Sequence, residues 1–224
     1  NKPKQYLPLS GKTILEQTVG KFLSLPFVKQ VIIAVSEQDP YFEGLGLRQH
    51  PKITVVAGGD ERADSVASGI AWAKNAGHKW VMVHDAARPC VLSTDIERLI
   101  EYSVSQQTNA ILGARAKDTF KRTGSGQTST HEKIESTVDR NHLWHAFTPQ
   151  CCKVDELHSA LHALTDDTGK LNSKVTDEAS ALEMNGFAVD ILESSPNNIK
   201  ITVPEDLPLA EFYLHEEQWR VLFR

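Results

Sequence analysis

The chain has 224 residues, of which 40% are hydrophobic and 24% charged, and its net charge at pH 7 is -5. That length suits one large domain spanning 1–224, with the composition of an ordinary globular protein. The negative balance argues against general attraction to nucleic acid or an anionic membrane, no apolar run approaches a membrane span, and no signal peptide is read at the start.

Thr13 to Leu25 places Ile14, Leu15, Val19, Phe22 and Leu23 near helical spacing. Val31 to Val35 is a continuous, β-branched run, which predicts a strand buried on both faces. Ile53 to Val56 predicts another strand, stopped by Gly58-Gly59. Ala63 to Ala76 returns to helical period, with Val66, Ile70 and Ala73 on one face. Trp80 to Val83 reads as a short buried strand that gives way abruptly to His84, Asp85, Ala86, Ala87, Arg88 and Pro89. Thr94 and Glu97 have capping-box spacing ahead of Ile96, Leu99, Ile100 and Val104, and Ala110 to Leu112 predicts the next strand. Strand and helix alternate, so a parallel sheet with helices on both faces is expected.

Residues 121–137 break the alternation. They are polar, centred on Gly124-Ser125-Gly126, and predict a projecting hairpin or arm, with a floppy loop as the alternative. Beyond it, Glu156 to Leu164 and Asp177 to Asn185 read as helices, and Phe187, Val189 and Ile191 alternate as a strand. Thr202 and Glu205 have capping-box spacing, with Pro204 in the first turn of a final helix. No internal repeat and no linker divides the chain. Cys90, Cys151 and Cys152 make neither a Cys-x-x-Cys motif nor an even set, which predicts a reducing, cytoplasmic setting.

In a doubly wound sheet, ligands bind beyond the carboxyl ends of the strands. Two loops there carry chemistry. Gly58-Gly59-Asp60-Glu61-Arg62-Ala63-Asp64-Ser65 combines glycines that admit a close ligand with a helix start whose free N–H groups attract anions. A plain glycine turn with an acidic helix start is the alternative. In His84 to Pro89, Asp85 can hold a metal or a hydroxyl, Ala86 and Ala87 leave room, and Arg88 can grip phosphate. An Asp–Arg pair closing a turn explains less, since an apolar cap would suit a buried strand end better. His158 and His162 have metal-compatible spacing, but Ser159 stands where a zinc protease helix needs Glu. Trp144 with His142 and His145 reads as packing, and Cys151-Cys152 as structural, because no activating base is evident. Asp60 and Asp64 read as a solvated acidic first turn.

Pro3-Lys4-Gln5-Tyr6, GGDERADSV (58–66), VHDAARP (83–89), KDT (117–119), TVDRNHLWHAFTPQ (137–150), TDEASALE (176–183) and NIKITVPEDL (198–207) together resemble the 2-C-methyl-D-erythritol 4-phosphate cytidylyltransferases. The ordered set spans nearly the whole chain. The resemblance implies a Rossmann-like α/β nucleotidyltransferase fold with a mostly parallel sheet, and a homodimer joined by the arm at about 117–140. It also implies transfer of CMP from CTP to methylerythritol phosphate with release of pyrophosphate, aided by Mg²⁺ or another divalent cation. No protein ligand of the metal is assigned.

By the same resemblance, Lys4, Arg140 and Lys200 are catalytic, with Lys4 stabilising the pentacoordinate phosphorus. Gly59, Asp60 and Ser65 read the cytosine, and Lys4, Arg62, Asp85 and Ala86 complete the CTP site. Asp85, Arg88, Thr119, Arg140, Thr148 and Lys200 hold the second substrate. In that family a strand and a glycine-rich, arginine-bearing phosphate loop precede the Pro-Lys-Gln-Tyr segment. Here the sequence starts at Asn1-Lys2-Pro3-Lys4, and the expectation is that at least the glycine loop lies outside it. The attacking phosphate is already an anion, so no general base is needed. Positioning and charge neutralisation by cations must do the work. The rival readings are a ribitol 5-phosphate cytidylyltransferase and a non-catalytic nucleotide-binding module.

Overall fold

A computed structural model describes residues 2–124, 131–167 and 171–222, with side chains up to residue 217. The elements in chain order are β1 (Pro8–Leu9), β2 (Lys12–Thr13), α1 (Ile14–Leu23), β3 (Val31–Val35), β4 (Ile53–Ala57), α2 (Arg62–Asn75), β5 (Trp80–Val83), α3 (Ser93–Gln106) and β6 (Asn109–Arg115). Then follow β7 (Phe120–Thr123), β8 (Ile134–Val138), β9 (Trp144–Lys153), α4 (Val154–Ala163), α5 (Glu178–Met184), β10 (Val189–Glu193) and α6 (Asp206–Leu222). Short 3-10 turns add Lys4–Tyr6, Phe42–Leu45 and Leu47–Gln49.

The larger sheet runs β10-β6-β9-β5, and β3 pairs with β4 separately. The pairs β3/β4 and β10/β6 are parallel, whereas β9 lies antiparallel to both β6 and β5. Helices cover both faces, as the β-α alternation requires. On one side Phe22 of α1 and Ile96 and Leu99 of α3 pack with Cys151. On the other, Ile70 of α2, Leu157 and Leu161 of α4 and Leu182 of α5 pack with Cys152. The adjacent cysteines therefore point to opposite faces of β9, as alternate strand residues must. Burial raises the Cys151 thiol to about 11 and Cys152 well above its ordinary value, which supports their reading as inert packing residues.

Several local expectations need correction. β3 is not buried on both faces: Ile33 is buried and Ala34 exposed. Its β-branched run reflects packing on one side, where Ile33 meets Tyr6, Leu15 and Val19. Trp80 to Val83 are all half-buried rather than buried. Thr94 does not cap α3; the helix begins at Ser93, with Leu92 in the cap position. Asp95 is what that first turn contributes, a buried carboxylate accepting a hydrogen bond from Ser195 N at 3.0 Å. Glu205 does not pair with Thr202; Asp206 does, its Oδ2 accepting from Thr202 N at 2.7 Å and from Thr202 Oγ1 at 2.9 Å. Pro204 therefore lies in the turn ahead of α6. Phe187 precedes β10 rather than opening it, and packs in the core beside Leu182.

Two elements went unpredicted. The β1–β2 hairpin turns on Ser10 and Gly11, both at positive φ (48° and 79°), the geometry a two-residue turn needs. β9, the ten-residue strand between β6 and β5, carries Pro149 in its middle.

The arm is present as an antiparallel β7/β8 ribbon, with Phe120 opposite Val138 and Lys121 opposite Thr137. Most of its residues are exposed, Ile134 to 62%. Ser125 and Gly126 of its expected glycine-rich centre lie outside the described residues.

Candidate active site

β5 ends at Val83, opposite Gln150 of β9. The β6/β9 ladder pairs Ile111 with Gln150 and Leu112 with Phe147, stepping over Thr148 and Pro149. Such a bulge frees a strand residue to aim elsewhere. Thr148 uses that freedom: its Oγ1 accepts from Asp85 N at 3.0 Å and donates to His84 Nδ1 at 2.9 Å. The Thr148–Pro149 peptide is cis.

The donor roles follow from the partners. His84 Nε2 lies 3.0 Å from the Arg88 carbonyl, which only accepts, so Nε2 carries the proton and Nδ1 is bare. The ring also packs against Phe22. Burial lowers its pKa to about 4, so it is neutral at pH 7.

Asp85 is the centre of the site. Its Oδ1 accepts from Arg62 Nε at 3.0 Å, and its Oδ2 lies 3.0 Å from Lys200 Nζ and 3.4 Å from Arg88 Nε. Burial opposes its charge, but Arg62 and Lys200 outweigh burial and lower its pKa to about 2. The resemblance implied one pocket for Asp85, Arg88, Thr148 and Lys200, and the fold brings these four residues side by side. Arg88 Nη1 also donates to the Asn198 carbonyl at 2.7 Å, and the guanidinium lies over the Phe147 ring.

Arg62 opens α2 and turns back toward Asp85. Its Nη1 and Nη2 clasp Glu178 at 2.8 and 3.2 Å, so one guanidinium spans two carboxylates. Burial disfavours its charge, but Glu178 and Asp85 more than offset that and raise its pKa. Glu178 is only 2% exposed, and burial pushes its carboxyl upward against the pull of Arg62. Sequence reasoning does not single out Glu178. It is held by Gln150, whose amide bonds Asp177 Oδ2 at 2.9 Å and Ala179 N at 2.8 Å, docking the start of α5 on β9. An acid after an Asp cap looks like any helix start, so only its place within TDEASALE marked it.

The glycine turn ahead of α2 is tightly specified. A Cβ on Gly59 would meet Asp64 Cβ at 2.2 Å, so no larger residue fits. Gly59 N donates to Ser65 Oγ at 3.1 Å, and Glu61 N to Asp64 Oδ2 at 3.0 Å. Asp64 therefore caps the turn, while Asp60 is exposed. Ala86 is exposed beside Asp85, and its carbonyl accepts from Thr18 Oγ1 at 2.8 Å.

Three expected site residues stand apart from this cluster. Lys4 is exposed in its 3-10 turn, close enough to help lower the pKa of Asp206. Thr119 and Arg140 are exposed at the base of the arm, where Arg140 Nη1 donates to the Lys117 carbonyl.

Among the described residues, no three His, Cys, Asp or Glu side chains gather as a metal-binding group. Asp85 is already neutralised by three cations. These described residues do not build a resident metal site. Among the described residues, no helix is long and apolar enough to cross a membrane.

Comparison with known proteins agrees with this geometry. The family model for 2-C-methyl-D-erythritol 4-phosphate cytidylyltransferase (IspD) matches residues 1–216. A relative of that name from Photobacterium profundum is 51% identical over 217 residues, covering 96% of this chain and 90% of its own. One from Escherichia coli O139:H28 is 49% identical over 212 residues, covering 95% and 86%. Among solved structures, the Francisella tularensis 2-C-methyl-D-erythritol 4-phosphate cytidylyltransferase superposes with a TM-score of 0.78 at 36% identity, covering 95% of this chain and 93% of that one.

Proposed function

The chain belongs to the 2-C-methyl-D-erythritol 4-phosphate cytidylyltransferase family, and from that premise we propose how its residues carry the reaction. The enzyme is a nucleotidyltransferase of isoprenoid synthesis: it moves CMP from CTP to 2-C-methyl-D-erythritol 4-phosphate, giving CDP-methylerythritol and pyrophosphate. An acceptor phosphate oxygen forms a bond to the α-phosphorus as the bond to the pyrophosphate oxygen breaks.

The observation that carries the residue assignment is the convergence of Arg62, Arg88 and Lys200 on Asp85 at the end of β5. Three cations face two carboxylates, Asp85 and Glu178, leaving the cluster a net positive charge for an anionic ligand. The barrier is mutual repulsion between two phosphate anions, so preorganised positive charge is the catalytic device. In this reading Lys200 and Lys4 neutralise the reacting phosphates, and Arg62 and the Gly59–Ser65 turn hold the nucleotide, with Asp60 on its base. Asp85 and Ala86 border the ribose, while Arg88 and Thr148 border the acceptor.

No residue has to remove a proton. His84 fits that: both ring nitrogens are engaged within the protein. Mg²⁺ or another divalent cation would accompany the triphosphate and share its charge.

The exposed arm supports a homodimer, because a lone two-stranded ribbon is marginal in water and Ile134 needs cover. Thr119 and Arg140 would then serve the partner's acceptor site. The described cysteines are free and buried, which supports a cytoplasmic setting. Incubation of the full-length protein with CTP, Mg²⁺ and methylerythritol phosphate, with ribitol 5-phosphate as control acceptor, tests the assignment through pyrophosphate release.

A further inference from the structure

Four residues around the site close a ring of hydrogen bonds. His84 Nε2 donates to the Arg88 carbonyl, and Arg88 Nη1 donates to the Asn198 carbonyl, at 3.0 and 2.7 Å. Asn198 Nδ2 donates to the Thr148 carbonyl, and the Thr148 hydroxyl donates to His84 Nδ1, at 2.8 and 2.9 Å. Each member donates once and accepts once. The ring joins the end of β5, the bulge of β9 and the segment after β10.

Asn198 is the member that no motif chemistry singles out. It is 1% exposed, yet its Oδ1 has no hydrogen-bond partner among the described residues. What the amide supplies is its donor. That donor fixes residue 198 against β9, and Ile201 N fixes the other end of the segment on the Ala87 carbonyl at 2.8 Å. Lys200 lies between these two anchors, with its ammonium 3.0 Å from Asp85 Oδ2.

We propose that Asn198 is a positioning residue, whose side-chain amide pins the 198–201 segment so that Lys200 is delivered to Asp85 and the reacting phosphates. The proposal rests on the catalytic reading of Lys200 given above.

Two measurements test it on the full-length protein. The first is a kinetic cycle with Asn198→Ala, Lys200→Ala and the double variant. Asn198→Ala should lower kcat about tenfold while the KM for CTP changes less than about twofold, and the double variant should be no slower than Lys200→Ala alone. A kcat within about twofold of wild type, or losses that multiply in the double variant, overturns the proposal.

The second measurement needs no turnover. Wild type, Asn198→Ala and the near-isosteric Asn198→Asp are pulse-labelled with acetic anhydride, and Lys200 acylation is read by mass spectrometry against exposed Lys12. Release from its anchor should speed Lys200 labelling about threefold or more in either folded variant. Unchanged labelling in a variant with a native melting transition overturns the proposal. If wild type transfers no CMP, the functional assignment fails, and the labelling result still decides whether Asn198 anchors Lys200.

Discussion

Arg62 and Glu178 lie 116 residues apart in sequence and meet in a two-pronged ion pair, with N–O distances of 2.8 and 3.2 Å. The pair joins the first residues of α2 and α5. It leaves Arg62 Nε free to reach Asp85, so Glu178 sets the aim of a cation on Asp85.

Glu178→Gln should therefore disturb both stability and nucleotide binding. A hydrogen bond to a charged group contributes about 1.5–3 kcal/mol. Arg62 is 39% exposed, so solvent screening puts the loss toward the lower end of that range. The KM for CTP should rise as Arg62 loses its orientation. Urea unfolding and initial-rate kinetics check the two effects. Arg62→Lys should not substitute, because a single ammonium cannot span Glu178 and Asp85.

Lys4→Ala should lower kcat by about a hundredfold, with a smaller change in the KM for CTP, since one preorganised charge at a transition state is worth about 3 kcal/mol. Steady-state kinetics decide it. A kcat within about twofold of wild type would make the exposed Lys4 no more than a surface residue of its 3-10 turn.

His84 gives a pH dependence with a definite sign. Its folded pKa, about 4, lies below the ordinary 6.5 because the ring is buried. The unfolded chain therefore binds the proton first. The stabilising effect of a neutral His84 is full above pH 6.5 and is lost as pH falls toward 4. Between pH 7 and pH 5 the loss should be about 2 kcal/mol, and His84→Gln should remove most of that difference. Asp85, lowered from 3.8 to about 2, acts in a separate and more acid window. Urea titrations at the two pH values separate the groups.

The sequence made the alternation of elements legible because β-branched runs such as Val31–Val35 and helical repeats such as Ile14 to Phe22 are local signals. β9 was not legible, since Pro149 interrupts it and its pairing partners lie far away in the chain. Asp85, Arg88 and Lys200, gathered at the end of β5, stand in quotable motifs. Glu178, Gln150 and Asn198 do their work through tertiary contacts that composition does not announce. The two misplaced capping boxes have different causes: at α6 the neighbouring Asp206 makes the bond that spacing assigned to Glu205, whereas α3 already begins at Ser93, so Thr94 lies inside the helix.

The arm carries a prediction about assembly. Lys4→Ala and Arg140→Ala proteins, each inactive alone, should regain activity when mixed and allowed to exchange subunits. A hybrid dimer then holds one intact site, if Arg140 serves the neighbouring protomer. If Arg140 serves its own protomer, every hybrid site still lacks a residue and the mixture stays inactive. Gel filtration of Arg140→Ala must first show an intact dimer.

The most direct test of the whole account is phosphorus NMR of the full-length protein with CTP, Mg²⁺ and methylerythritol phosphate. CTP should disappear as pyrophosphate and a CDP-linked alcohol appear in equal amounts, and Lys200→Ala should slow both together. Pyrophosphate formed only with ribitol 5-phosphate, or formed at an unchanged rate by Lys200→Ala, would contradict it.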